Sequence, residues 1–209
     1  MPGFYQPGEY DVSGTIVGVV EKSRIIDGKS IRRGDAIIGL ASNGLHTNGY
    51  SLARKIFFEQ MKLKPQSRVD GLDGSIGEEL LKVHVSYGPL VQKLIAKFNP
   101  RTKSAPGIRG LAHITGGGFV DNLPRILPKD CDALVRKGSW DVLPIFQIIQ
   151  TKGGVPEAEL YEVFNMGIGM AIIVAGDKAD AILKFIRAEK QRAWLIGDVL
   201  HGKGMTRVV

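Results

Sequence analysis

Three times in this chain an apolar run stops at a turn built from glycine and asparagine: "DAIIGLASNGLHTNGYS", "LAHITGGGFVDN" and "VFNMGIGMAII". An apolar run bounded by turn residues reads as a buried strand. Glycine lets the turn take positive φ and lets a ligand approach the backbone N–H groups. A helix opening just beyond adds partial positive charge, so such turns suit a phosphate. Taken singly, a Gly-rich turn usually only reverses the chain. Three in one chain put ligand binding on an equal footing. Glycine makes up 27 of 209 residues, well above the ordinary share of roughly 7%, and much of it sits in short turns, not in linkers.

Between these turns, strand and helix patterns alternate. Strands are expected at residues 12–22 ("VSGTIVGVVEK"), at 34–42 ("GDAIIGLAS", buried on both faces), and in "IRGLAHIT", "CDALVRK", "GMAIIVA" and "AWLIGDVL". Helical spacing runs from Tyr50 to about Met61, with Pro65 just past its end. Ser75 and Glu78 have the capping-box spacing and open a second helix, continued or restarted at Leu90 to Phe98 after Pro89. A short helix follows the Gly triplet and ends near Pro124. "DVLPIFQIIQTKG" reads as a helix capped by Asp141 and stopped by Gly153, "PEAELYEVF" as one opened by Pro156, and "DKADAILKFIRAEK" as one capped by Asp177. The order predicts an α+β fold, a mixed sheet covered by helices.

Composition narrows the function. Hydrophobic residues at 44% and charged residues at 23% are those of an ordinary globular chain, and no apolar run approaches the roughly 18–20 residues of a membrane span. "MPGFYQPGEYD" has no basic region followed by an apolar stretch, so no secretory signal is read and a cytoplasmic location is expected. The single cysteine, Cys131, excludes an internal disulfide and reads as a half-buried strand residue. The net charge of +7 comes from scattered basic residues, without the runs, interleaved aromatics or fingers of a nucleic-acid binder. A solvated basic surface is expected first and a phosphorylated small molecule second, with no nucleic acid and no membrane as partner.

His46, between two Asn/Gly pairs, is either a turn histidine bonded to a neighbouring carbonyl or a proton carrier or phosphate contact at the end of a strand. No metal site is expected, because His84, His113 and His201 are far apart in sequence and no His-x-x-x-His occurs. His113, inside an apolar run, reads as a satisfied core histidine.

"GDAIIGLASNGLHTNGYSLARKI", "AHITGGGFVDNLPRILP" and "FNMGIGMAIIV" closely resemble the C-terminal half of the phosphoribosylformylglycinamidine cyclo-ligase (aminoimidazole ribonucleotide synthetase) family. The resemblance implies ATP-dependent closure of formylglycinamidine ribonucleotide to aminoimidazole ribonucleotide in purine biosynthesis. It implies His46 and Asn48 as catalytic residues. Ser42, Asn43, Gly44, Gly116, Gly117, Gly118, Asn165, Met166 and Gly167 follow as substrate- or phosphate-binding residues. It further implies that residues 1–29 are a remnant of an N-terminal ATP-binding domain and residues 30–209 the C-terminal domain. The resemblance implies that the rest of the N-terminal domain is missing, with Met1 falling where a "GGETAE"-like turn would have ended. ATP and Mg²⁺ would then be held mainly by the missing domain, and the full-length enzyme is expected to be a homodimer. The alternative is a truncated, non-catalytic phosphate-binding or interaction module. Where the family often has Pro-Thr-Arg, this chain has Val83, His84 and Val85, so a phosphate contact by that Arg is not carried over.

Overall fold

A computed structural model describes Gly8, Tyr10 and residues 12–100 and 105–209. Among these residues six strands form one sheet in the order β2-β4-β1-β5-β3-β6. They are β1 (Ala36–Ala41), β2 (Ile108–His113), β3 (Cys131–Val135), β4 (Ile168–Val174), β5 (Ala193–His201) and β6 (Thr206–Val208). All pairings are antiparallel except β3 with β6. The helices are α1 (Tyr50–Arg54), continued by a wider π turn over Lys55–Gln60, then α2 (Ile76–Leu80), α3 (Gly88–Phe98), α4 (Gly118–Asn122), α5 (Pro144–Gly153), α6 (Glu157–Val163) and α7 (Ala179–Ala188).

The expected mixed sheet covered by helices is what forms. Every residue of β1 is buried, which is why its sequence is a continuous apolar run and not an alternating one. Its side chains alternate between two cores. Ile37 joins Phe57, Phe119, Phe146 and Leu160, from α1 with its π turn, α4, α5 and α6. Ile38 and Leu40 join Leu94, Ile182 and Ile186, from α3 and α7. A buried Arg109–Asp35 ion pair ties the start of β2 to the residue before β1.

The capping box forms as expected, with Ser75 accepting from the Glu78 N–H and the Glu78 carboxylate accepting from the Ser75 N–H at 2.7 Å. Four local expectations are corrected. Residues 12–22 form no strand: no described strand lies beside them to complete a ladder, and Ile16 is 97% exposed and Val19 100%. Asp141 does not cap α5, which begins at Pro144, where the missing N–H is no loss; Asp141 pairs with Arg192 instead. The left-handed residue that stops α5 is Gly154, φ 63°, not Gly153. Asp177 lies inside a 3₁₀ turn, Gly176–Lys178, that precedes α7. The expectations on residues 1–7, 9, 11 and 101–104 fall outside the described residues. Among the described residues no helix is long and apolar enough to cross a membrane.

Strand direction places the site. Because β1 and β4 are antiparallel, with Ala41 opposite Ile168, the end of β1 lies beside the start of β4. Because β4 and β2 are antiparallel, with His113 opposite Met170, the end of β2 lies there too. The three Gly/Asn turns therefore meet at one end of the sheet.

Candidate functional site

Asparagines and a serine join the three turns. In the β1–α1 turn, Asn48 Oδ1 accepts from the Gly116 N–H at 3.1 Å, linking it to the turn after β2. Ser42 Oγ donates to Asn165 Oδ1 at 2.9 Å and Asn165 Nδ2 donates to Gly44 O at 2.9 Å, linking it to the turn before β4. Asn165 Oδ1 also accepts from the Gly167 N–H at 2.8 Å. Asn165 and Ser42 are buried, as is Met166. With their polar groups turned inward on one another, Ser42 and Asn165 shape the turns from within.

The Gly triplet is more constrained than its sequence implies. The Gly116 N–H goes to Asn48 and the Gly118 N–H to Thr115 O, so of the three only the Gly117 N–H is left for an anion. At Gly118, φ 56°, a Cβ would fall 1.8 Å from Tyr161 O, so no other residue fits. Buried Asn122 holds the turn from below, its amide donating to Gly118 O at 2.7 Å and its Oδ1 accepting from Thr115 Oγ1 at 3.1 Å.

His46 is buried at 2% exposure. Its Nε2 lies 2.8 Å from Asn43 Oδ1. Asn43 Nδ2 donates to Val83 O, which fixes that amide's orientation. Oδ1 can only accept, so His46 Nε2 carries the proton. The N–H groups of Asn43 and Val85 are 3.4 Å away, too long to compete with the 2.8 Å contact. The lone pair is then on Nδ1, which is buried without a hydrogen-bond partner. Tyr87, buried and donating to Ala41 O at 2.8 Å, lies nearby. Gly169 passes so close that a Cβ there would meet Tyr87 Oη at 2.1 Å and His46 Nδ1 at 3.0 Å.

The histidines, distant in sequence, come together. His84 stacks on His46 with ring centroids 4.5 Å apart and planes 17° from parallel, and His113 lies edge-on to His84 at 6.5 Å. One ring nitrogen from each of the three lies within 4.8 Å of the others. His113 is exposed, not a core residue, because β2 ends there and its last side chain projects into the mouth of the site. His201 stands outside the group. Burial, then repulsion by His84 and His113, lowers the His46 pKa to about 4. Burial and His84 also lower that of His113. Cys131 is buried at the start of β3, and burial, then Asp130, pushes its thiol up.

Over residues 32–209 the chain matches the family described as AIR synthase related protein, C-terminal domain. The chain belongs to that family. Among curated relatives, phosphoribosylformylglycinamidine cyclo-ligase of Syntrophus aciditrophicus (strain SB) is 47% identical over 204 residues, covering 98% of this chain and 56% of that protein. The cyclo-ligase of Geobacillus thermodenitrificans (strain NG80-2) is 43% identical over 206 residues, covering 99% and 57%. The chain thus spans just over half the length of these relatives. Thiamine-monophosphate kinase from Stenotrophomonas maltophilia K279a aligns with TM-score 0.59 at 15% identity, over 90% of this chain and 54% of that one. Hydrogenase maturation protein HypE, in a complex with ATP, aligns with TM-score 0.57 at 20% identity, over 87% and 49%. At such identities the likeness is one of fold.

In this AIR synthase C-terminal domain, sequence reasoning singled out the turn residues Asn43, His46 and Asn48, and the structure brings them together with the Gly triplet. It missed Tyr87 and Asn122, polar residues inside helical or apolar patterns. The signal for Asn122 was present in "GGGFVDN": an asparagine one helical turn after a glycine triplet can reach back to the turn's carbonyls.

Proposed function

We propose that the chain serves as the C-terminal-domain part of a phosphoribosylformylglycinamidine cyclo-ligase, in the closure of formylglycinamidine ribonucleotide to aminoimidazole ribonucleotide. The observation that carries this is 43–47% identity to proteins of that name across nearly the whole chain. In ring closure a nitrogen attacks the formyl carbon, whose oxygen ATP has phosphorylated; the C–O bond breaks with release of phosphate and the nitrogen sheds a proton, which a neutral imidazole with a free lone pair accepts. His46 is such a group: its tautomer is set by Asn43, and its Nδ1 is aimed away from that bond. Asn48, with the Gly117 N–H, would position the substrate's anionic group.

ATP and Mg²⁺, which the relatives' activity implies, do not fit the residues described here. The only group of three or more candidate metal ligands among the described residues is imidazole, whereas Mg²⁺ takes oxygen; and the Gly triplet has two of its three N–H groups engaged. No nucleotide contact is assigned to this chain. The portion of the relatives that it does not match is proposed to hold both.

The test is made in a complete cyclo-ligase containing this chain. His46→Gln should lower turnover roughly 10²–10⁴-fold while the urea midpoint moves little. Near-normal turnover with a lowered midpoint would make His46 a purely structural turn residue.

A further inference from the structure

We propose that His46, His84 and His113 form a binding site for a zinc-like divalent transition-metal ion, with a fourth position open to solvent. Three imidazoles are a recurrent donor set for such ions, and three protein ligands leave one position for water. Two tautomers are already set as coordination needs. His46 donates from Nε2 to Asn43 Oδ1, leaving Nδ1 buried and unpartnered. At His84, Nε2 is 2.7 Å from Thr47 Oγ1, whose only proton is given to His46 O at 2.7 Å. That oxygen can therefore only accept, so His84 also carries its proton on Nε2 and its lone pair on Nδ1. Metal-bound histidines are held in this way, with the second ring nitrogen donating to an oxygen that fixes ring and tautomer.

Zn–N bonds of about 2.0–2.1 Å place tetrahedral nitrogens about 3.4 Å apart, so the ring nitrogens, one from each histidine and now within 4.8 Å of one another, must draw closer, and the His84 ring must turn out of its stack on His46 for the lone pairs to converge. His113 is exposed at the end of β2 and free to turn; buried His46 is the fixed point. The site depends on His84. It does not depend on the ring-closure reading. An ion there would take the His46 lone pair, so metal binding and proton transfer exclude one another.

The experiment is calorimetric titration of the untagged 209-residue chain with Zn²⁺, and with Mg²⁺ as control, followed by Co²⁺ absorption spectroscopy. One Zn²⁺ per chain, no Mg²⁺ heat, and four- or five-coordinate Co²⁺ bands are expected. His84→Asn and His113→Asn should each weaken Zn²⁺ at least 10-fold, with melting unchanged, and His201→Asn should not. Absence of Zn²⁺ binding, an affinity indifferent to both variants, or loss on His201→Asn instead would overturn the proposal. Because the readout is metal on the chain and not turnover, its failure leaves the ring-closure reading standing.

Discussion

His46 and Thr47 have φ of 52° and 57°, a region that histidine visits more readily than most residues but that a β-branched threonine seldom occupies, and one that costs on the order of 1–3 kcal/mol per residue. The fold offsets the cost locally, since the His46 carbonyl accepts from both Thr47 Oγ1 and Asn48 Nδ2. This backbone carries the imidazole inward, and burial holds its pKa near 4. The folded state thus favours neutral His46, whereas the unfolded chain takes up a proton near pH 6.5. His46 accordingly contributes stability that is present above about pH 6.5 and is lost as pH falls toward 4. Melting temperatures recorded from pH 7.5 to 4 should fall across that window, and His46→Gln should flatten part of the fall. An unchanged slope in the variant would place the titration elsewhere. His46 and Asn48 were legible because Gly/Asn neighbours announce a strained turn. His84 and His113 were not, since nothing along the chain records that two strand ends and the α2–α3 connection meet.

Secondary structure was readable wherever one local rule acted unopposed. The buried β1 run, the capping box at Ser75 and the helix from Pro156 follow from periodicity and side-chain reach alone. Asp141 and Asp177 misled because an aspartate before a helix looks the same whether it caps or pairs elsewhere, and Arg192, fifty-one residues from Asp141, is invisible to a local pattern. β6, three residues long and parallel to β3, carries too few residues for any periodicity. The turn before β4 was marked as a ligand contact, and its asparagine bonds inwardly, to Ser42, Gly44 and Gly167. Replacing Asn165 with alanine would leave Ser42 Oγ, Gly44 O and the Gly167 N–H without their present partner in a buried place. At roughly 1–3 kcal/mol per orphaned group, partly relieved by relaxation, a loss of about 3–5 kcal/mol is expected. Ser42→Ala, which orphans only one of the two bonds at Asn165 Oδ1, should cost about 1 kcal/mol. Urea unfolding of both single variants and the double checks this: the double should lose little more than Asn165→Ala alone, and strict additivity would show that the two do not act as one lock.

Residues 12–20 carry Ile16, Val17 and Val19 at 86–100% exposure and bury no described side chain. The segment is β-branched, uncharged and free of proline, properties that invite strand pairing between chains. Removal of residues 1–20 should therefore lower self-association, read by light scattering or sedimentation, and leave the melting temperature unchanged. A drop in melting temperature would show that the segment supports the fold. At the site end of the sheet, the bonds that join the three turns link residues 68, 121 and 123 positions apart. Loops of that size must close before any of these contacts forms, and synthesis delivers the chain at about 5–20 residues per second. On the ribosome, His46 therefore emerges well before the asparagine and the strand that will enclose its turn, and the site has no existence in the nascent protein until most of the chain has been made.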